Sequence, residues 1–348
     1  MDLEHPFPGG LQHFRPPCCP RSDCPSRAPA GPPFLFRSRG RFVRLCDRRS
    51  VRRFHCHACR RSFSVQTFRV DYRLHRPDIT HLVFDAFVSK MTQRQAARTI
   101  GCTRHTVRRR LLLLATHTAE FQARALQRAA SRGALQDTFQ LDELETFERD
   151  RRLRPVTLPV LIHKRSRFIV HVESAALPSR GGLRPRDLAR KLEMERVEGV
   201  RRSGSRAAVK RCFERLAEAL GSGACPLIET DSKPSYATVL ADVLPKGKYM
   251  HRKHSGKLAR TVRNPLWPIN HTLAMLRDGL SRLVQRTWGV SKERAWLAHH
   301  AWVWIAYRNY IRALTNQEKR VTSAQHAGVI ARRFTKWTFF EWRVAASA

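Results

Sequence analysis

The stretch that decides the fold is Thr138-Phe139-Gln140-Leu141-Asp142, in which polar and apolar residues alternate and the last residue is a carboxylate. Alternation with a period of two residues predicts a half-buried β-strand. A second stretch, Pro226-Leu227-Ile228-Glu229-Thr230-Asp231, is also rich in strand formers and also ends in aspartate. We therefore expect Asp142 and Asp231 at the ends of two strands.

A third oxygen donor, Asn270, begins a helical stretch that runs to Arg277. Two strand-end carboxylates and an amide oxygen can together hold two Mg²⁺ or Mn²⁺ ions about 4 Å apart, a spacing that clamps the attacking and leaving oxygens of a phosphoryl transfer. We take Asp142, Asp231 and Asn270 as the candidate site. Asp278 and Glu293 are the other acids near Asn270, and they are the alternatives for the third ligand.

The composition of the chain indicates a polyanionic partner. The 348 residues include 66 Lys and Arg against 28 Asp and Glu, which gives a net charge of +38. Such an excess favours nucleic acid, and the helix-turn-helix pattern within residues 78–115 makes double-stranded DNA the expected partner. A ribosomal or membrane-surface role is the alternative. The sequence has no apolar run near the roughly 20 residues of a membrane span, no signal pattern and no Gly-rich phosphate loop, so we expect a cytoplasmic protein without a nucleotide cofactor.

The cysteines predict a zinc site. Nine cysteines is an odd number, and in a cytoplasmic chain cysteines are more often metal ligands and buried thiols than disulfides. Cys56 and Cys59 are separated by two residues, a spacing typical of a zinc knuckle. Cys19 and Cys24 form the matching pair with a wider loop, and Cys18 is an alternative to Cys19. The pattern predicts a four-cysteine zinc ribbon.

Residues 78–115 show three helical periods with short breaks between them. Thr92 and Thr103 are positioned as N-caps of the second and third helices, and Gly101 lies in the turn that joins them. This arrangement predicts a helix-turn-helix whose last helix enters the major groove. The alternative is a basic three-helix bundle that does not contact DNA. The residues expected to reach DNA are Arg104, His105, Arg108 and Arg109.

The pattern changes from helical to strand-like after residue 133. The expected order is three strands, a helix, a strand, a helix and then long helices, which is the order of a ribonuclease-H-like fold. The predicted segments are strands 139–147, 156–163 and 167–174, helix 206–220, strand 226–231, helix 236–244, a basic loop 251–257 and helices within 265–312. Arg252 and Lys253 of the basic loop are expected to hold DNA phosphates.

Taken in order, these motifs resemble the DDE-type transposases of bacterial insertion sequences. The likeness is to the group with an N-terminal zinc finger and an Asp-Asp-Glu/Asn triad, and it covers about residues 18–312. The stretches that carry it are Leu141-Asp142-Glu143, Glu229-Thr230-Asp231, Ile269-Asn270-His271 with Arg277, and Thr287-Trp288-Gly289-Val290-Ser291-Lys292.

The resemblance implies that Asp142 and Asp231 bind the catalytic metals and that Asn270 occupies the third position. It also implies that Arg277 holds transposon-end DNA. Asn270 departs from the family's common glutamate, and its neutral amide should bind the second ion more weakly than a carboxylate would.

The sequence thus predicts a multidomain α+β protein in four segments. These are residues 1–70, a zinc ribbon with a flexible N-terminal arm; 71–132, a helix-turn-helix domain; 133–315, a ribonuclease-H-like catalytic domain; and 316–348, a basic C-terminal tail. The expected function is metal-dependent cleavage and strand transfer at the terminal inverted repeats of an insertion element, carried out by a homo-oligomer on DNA. A catalytically inactive DNA-binding regulator and a structural protein of a ribonucleoprotein are the alternatives.

Overall fold

The computed structural model of the protein describes residues 14–27, 34–221, 223–259, 261–284 and 289–343. The start of the predicted N-terminal arm, the pair Thr287-Trp288 and the last five residues lie outside the described residues. The chain divides into two compact units, one of Met1–Phe84 with Phe334–Ala348 and one of Asp85–Arg333. Helices and sheets are both present. None of the helices in the described ranges combines the length and the apolarity that crossing a membrane requires.

The first unit is built on a small antiparallel sheet of β1 (Phe36–Val43), β2 (Ser50–Cys56) and β3 (Ser62–Ser64). A mainly aromatic cluster of Phe14, Phe54, Val65 and Phe68, called the aromatic cluster, forms its core. The ring of Trp342 stacks on Phe14 at 5.2 Å between ring centroids, and Arg69 binds Glu341 at 3.0 Å. Residues from 334 onward therefore complete this unit, whereas 316–333 belong to the other.

Three helices follow in the order predicted: α1 (Ile79–Val88), α2 (Gln93–Ile100) and α3 (Arg104–Ser131). Thr92 and Gln95 form a capping box at the start of α2, Gly101 ends it with a left-handed φ of 69°, and Thr103 caps α3. Helix α3 continues well beyond residue 115, where the sequence pattern suggested an end. Its apolar stripe continues through Phe121, and the later part of that stripe is buried.

The second unit contains a six-stranded mixed sheet of order β6-β5-β4-β8-β9, with β7 beside β5. Its strands are β4 (Thr138–Phe147), β5 (Pro155–His163), β6 (Phe168–Val172), β7 (Ala175–Ala176), β8 (Leu227–Asp231) and β9 (Met250–His254). Strands β4, β5 and β6 pair antiparallel, whereas β8 pairs parallel to both β4 and β9.

Two sequence expectations about this sheet were wrong. Asp142 does not end its strand, because β4 continues to Phe147 along the full length of β5. The expected basic loop is instead strand β9, which pairs its backbone with the open edge of β8, as in the pair of Thr230 and Lys253. Backbone pairing at a sheet edge outweighs the low strand preference of a charged segment.

Helices cover both faces of the sheet, and β5 is buried along its whole length. The remaining helices are α4 (Pro185–Glu198), α5 (Ser205–Ala219), α6 (Pro234–Val243), α7 (Trp267–Gly279), α8 (Arg294–Ile305), α9 (Ser323–His326) and, in the first unit, α10 (Lys336–Phe339). Helix α5 packs on β5 and β6, while α7 and α8 share a core cluster with β4, β5 and β6, and α3 packs along α8. Helix α4 lies in the stretch 177–202, which the sequence pattern had not marked as helical.

At the outer edge of β6, backbone groups bond to side chains rather than to another strand. Asn309 lies in a π-helical segment, Ala306–Ile311, that follows α8. Its Oδ1 accepts from Ile169 N at 3.1 Å, and its Nδ2 donates to Ile169 O at 2.9 Å and to Gln122 Oε1 at 3.0 Å. Asn309 is fully buried, and it provides the acceptor for the Ile169 N–H, while the Ile169 carbonyl also accepts from Gln122 Nε2 at 3.0 Å.

We expect Asn309→Ala to lower the free energy of unfolding by about 2–4 kcal/mol, because it leaves the buried Ile169 N–H unpaired and opens a cavity. Urea unfolding followed by tryptophan fluorescence measures the loss. Gln317→Ala, at an exposed position, is the control and should change the midpoint little. A loss below about 1 kcal/mol in Asn309→Ala would show that the network does not support the edge.

Candidate functional site

The four cysteines predicted as zinc ligands come together in the first unit. The sulfur atoms of Cys19, Cys24, Cys56 and Cys59 all lie within 4.8 Å of one another. Cys19 Sγ is 3.7 Å from Cys59 Sγ, and Cys24 Sγ is 3.8 Å from Cys56 Sγ. A tetrahedral ion with bonds of about 2.3 Å needs sulfur atoms about 3.8 Å apart, so the cluster fits a structural zinc ion.

The structure also decides between Cys18 and Cys19. Cys18 packs against the aromatic cluster of the first unit and is not one of the four grouped sulfurs. Cys19 is 1% exposed, and a backbone bond from its N–H to Ser26 O at 3.1 Å fixes the loop that carries it. The wider spacing between Cys19 and Cys24 is therefore compatible with the site.

In the second unit, strand register places Asp142 beside Asp231. Strands β4 and β8 are parallel, with Gln140 opposite Glu229 and Leu141 opposite Thr230. The next residues along the two strands are Asp142 and Asp231. Side chains two residues apart in a strand point to the same face, so the two aspartates share the face of Gln140 and Glu229 on strands about 4.8 Å apart.

Helix α7 is fixed over this face by the side chain of Gln140. Gln140 is fully buried, and its Nε2 donates to Glu229 Oε2 at 2.8 Å and to Pro265 O at 2.7 Å. Its Oε1 accepts from Ile269 N at 3.1 Å, a first-turn N–H that has no partner within the helix. Asn270, the next residue after Ile269, is thereby held near the strand that carries Asp142.

Asp142, Asn270 and Arg277 line one cavity of about 670 Å³. Asp231 is not among its lining residues; its Oδ1 accepts from Lys233 N at 3.0 Å. Asp278, one of the alternatives for the third ligand, also lines this cavity.

Neither alternative for the third ligand is a bare carboxylate. Asp278 is paired with Lys90 at 3.1 Å. Glu293 accepts a hydrogen bond from Trp296 Nε1 at 3.1 Å.

A buried glutamate next to Asp142 was not singled out from the sequence. Glu143 lies on the opposite face of β4, where it pairs with Lys233 and accepts from Thr157 Oγ1 at 2.7 Å, Ser205 Oγ at 2.8 Å and Tyr236 Oη at 3.0 Å. Burial would raise the pKa of Glu143, but these bonds and the Lys233 charge outweigh it and lower the pKa. The Glu143 carboxylate is therefore charged, and both of its oxygens have partners.

The pKa of the Tyr236 phenol depends on three nearby carboxylates as well as on burial. Burial raises its pKa first, and the negative charges of Glu143, Asp142 and Asp231 raise it further. The two aspartates thus act on one buried group together with Glu143. No alternation in the sequence marks Tyr236, because it lies in the first turn of a helix with an ordinary apolar face.

A second buried acid, Glu229, lies on the aspartate face, close to a lysine, an arginine and a histidine. It is 1% exposed and lies 2.7 Å from Lys164 Nζ, 3.4 Å from His254 Nε2 and 3.7 Å from Arg252 Nη1. Burial opposes its charge, but Lys164 and Gln140 outweigh that effect and lower its pKa. Arg252 keeps 61% of its side chain exposed, and Lys253 beside it on β9 is exposed as well.

The basic residues at the start of α3 are also exposed. Arg104, His105, Arg108 and Arg109 all face solvent, whereas Arg110 is buried. The Arg108 guanidinium lies 4.4 Å from the ring centroid of Trp296. Trp296 is half-buried, whereas Trp304 is buried in the core.

No model of a known protein family matches this chain, and no match was found among curated proteins.

We expect the purified protein to carry one zinc ion per chain and to lose it when Cys56→Ser is combined with Cys59→Ser, because the small unit depends on its metal for stability. Cys18→Ser and Cys46→Ser, which change thiols outside the cluster, are the controls. Metal analysis and thermal unfolding measure the effect. Full zinc occupancy in the double variant, or its loss in Cys18→Ser, would contradict the assignment.

Proposed function

We propose that the chain is a DDE-type transposase that binds the terminal inverted repeats of its insertion element and cuts and joins DNA. The observation that carries the proposal is the placement of Asp142 and Asp231 side by side on parallel strands, beneath the helix that carries Asn270. The net charge of +38 supports DNA as the partner. We propose that it acts as a homo-oligomer, since an element has two ends.

The sheet order supports a ribonuclease-H-like catalytic domain. Three antiparallel strands are followed by two parallel ones, in the order β6-β5-β4-β8-β9. The first strand of the sheet, β4, lies at its centre and carries Asp142, while its parallel neighbour β8 carries Asp231. Along the chain, three strands precede the parallel strand β8, as the sequence motifs predict for a ribonuclease-H-like fold.

The donor atoms on this face fit hard cations. Asp142, Asp231 and Asn270 offer carboxylate and amide oxygens, which Mg²⁺ and Mn²⁺ prefer. Bound there, two such ions would stabilise negative charge on the phosphate and favour deprotonation of the attacking hydroxyl. The chain itself supplies position: Gln140 fixes Asn270 over β4, and Arg277 offers a cation to DNA in the same cavity.

The proposed chemistry is a phosphodiester hydrolysis followed by a transesterification. In cleavage, a water oxygen forms a bond to the scissile phosphorus and the bond to the 3′-oxygen breaks, which leaves a 3′-hydroxyl. In strand transfer, that 3′-hydroxyl forms a bond to a target phosphorus and displaces the target's own 3′-oxygen. Neither step needs a covalent enzyme intermediate.

We assign recognition of the element ends to α2, α3 and the four-cysteine unit, as a helix-turn-helix and a zinc ribbon. The capped turn at Gly101 and Thr103 leaves Arg104, His105 and Arg109 exposed at the start of α3, where recognition helices contact base edges. Arg252 and Lys253 on the edge strand are assigned to phosphates.

One observation favours a second candidate, a DNA-binding regulator without catalytic activity. Asn270 is neutral, so the face holds one negative charge fewer than a triad of three acids would. A regulator would bind the same ends but leave them uncut.

We expect Asp142→Ala, Asp231→Ala and Asn270→Ala each to reduce cleavage at least 100-fold, since each removes an oxygen ligand. Asn270→Asp should retain activity at lower magnesium, because a carboxylate attracts the cation more strongly. The measurement is cleavage of a supercoiled plasmid that carries the native ends, across a magnesium titration. Asp242→Asn, at an exposed position on α6, is the control.

Cleavage by Asp142→Ala at the unmodified rate would refute the metal assignment. Activity unchanged in Asn270→Ala would move the third ligand to Asp278 or Glu293. Sequence-specific binding of the ends without cleavage at any magnesium concentration would instead establish the regulator.

We expect Arg104→Ala to cost about 1–3 kcal/mol at particular base pairs and to relax sequence preference there, because an arginine at a base edge discriminates between bases. Neutralising Lys253 should weaken binding to all sequences alike and flatten the salt dependence. Binding to a library of end variants distinguishes the two effects. A uniform loss from Arg104→Ala would place that residue on the phosphate backbone.

A further inference from the structure

A second cavity, of about 660 Å³, lies along the adjacent face of α7. It shares His271, Ala274 and Asp278 with the cavity of Asp142 and Asn270. Arg167, Tyr307 and Arg312 also line this second cavity. We call it the arginine groove. Because the two cavities share one helix, a ligand strand that leaves the first can enter the second.

The arginine groove has positive charge without matching negative charge. Within the described residues, Arg167 and Arg312 have no carboxylate within ion-pairing distance, and neither does Arg308, which follows Tyr307 in the π-helical segment. Asp278 is the acid in the lining; it is mostly exposed and is bound to Lys90. Elsewhere in this unit, cations such as Lys164 and Lys233 are paired with buried acids. The arginines of the groove lack such acidic partners among the described residues.

The excess positive charge is energetically unfavourable at Arg308, because this side chain is buried. It is fully buried; its Nη1 donates to Ser323 Oγ at 2.8 Å, while Nε and Nη2 have no hydrogen-bond partner among the described residues. Burial, together with the positive charges of Arg312 and Arg167, lowers its pKa to about 10. A buried cation without a counter-charge is unfavourable, and a bound anion would offset that cost.

The wall between the two cavities is a stack of three side chains. The Arg167 guanidinium lies 4.7 Å from the Trp267 ring centroid, and the Trp267 and His271 rings stack at 4.9 Å. Trp267 lines the first cavity and Arg167 lines the groove. Arg167 has a left-handed φ of 53° in the turn between β5 and β6, a strained conformation that fixes where its side chain starts.

We propose that the arginine groove binds a phosphodiester of the DNA strand beyond the reacting phosphate, with Arg167 and Arg312 as its phosphate contacts. The inference rests on the proposed function for the direction of the strand. The reasons are the concave shape, the unpaired cations, the buried Arg308 and the shared helix. π-Helical segments such as the one that carries Tyr307 and Arg308 are frequent at functional sites.

The test uses the full chain, with its zinc and without added magnesium, so that binding is separated from cleavage. The probe is a fluorescein-labelled oligothymidylate, and its affinity is measured by fluorescence anisotropy across a salt series. Arg167→Gln with Arg312→Gln should weaken binding about tenfold and reduce the salt slope by about 1.4, or about 0.7 for each lost phosphate contact. Arg312→Lys should keep most of the slope because it keeps the charge.

The matched control is Arg196→Gln on α4, whose side chain is 74% exposed; it should change neither value. Thermal unfolding checks the fold, and the double variant should be no less stable, because it removes repulsion of Arg308. An unchanged salt slope in the double variant, or an equal change in Arg196→Gln, would overturn the inference. If the double variant lost binding to an oligoglutamate probe while its DNA binding stayed unchanged, the groove would be a site for an acidic peptide, and the inference would be overturned.

These outcomes are independent of the catalytic proposal. If the protein never cleaved DNA but the double variant showed the smaller salt slope, the groove would still be a nucleic-acid site. If the double variant cleaved DNA normally and its salt slope were unchanged, the groove would not be a nucleic-acid site, but the transposase proposal would stand.

Discussion

The second unit depends on one buried side chain, Gln140, which joins three elements that are distant in sequence. Its amide nitrogen binds Glu229 on β8 and the carbonyl of Pro265, and its amide oxygen accepts from Ile269 in the first turn of α7. A buried amide with every bond made fixes geometry, since each bond left unmade would cost the desolvation of a polar group. The relative position of Asp142, Asp231 and Asn270 follows from this side chain, because each is one or two residues from a bonded atom.

Neighbouring acids on β4 and β8 have different surroundings, which separates structural from candidate catalytic carboxylates. Glu143 and Glu229 are buried and paired with Lys233 and Lys164, and their lowered pKa values mean that they remain charged. Asp142 and Glu143 both line the cavity that also contains Asn270, but Glu143 already binds Lys233 and three hydroxyl groups. A carboxylate with such partners gains little from a metal ion. Under the proposed function, Glu143 and Glu229 therefore stabilise the strands on which the aspartates stand.

The parts predictable from sequence were those with local signals. The capped turn at Thr92 and Gly101, the strand at residue 139 and the cysteine pairs each depend on residues close together in the chain. The strand β9 and the full length of α3 were missed because both depend on tertiary packing, one on the open edge of β8 and the other on α8. The choice of Cys19 over Cys18 required the aromatic cluster, and the Glu143 contacts join residues up to 93 positions apart. No sequence period encodes such pairings.

The neutral Asn270 has a physical consequence for how a metal site on this face would work. With Glu143 and Glu229 paired with lysines and Asp278 paired with Lys90, Asp142 and Asp231 would contribute the negative charge of the triad to two divalent cations, in a chain of net charge +38. Such a face would hold the second ion weakly by itself. A DNA phosphate adds the missing negative charge and oxygen ligand, so metal and DNA would bind cooperatively, each raising the affinity of the other by the same factor. Under the proposed function, a protein of this charge would keep its metals only where DNA is present, which restricts the chemistry to bound ends.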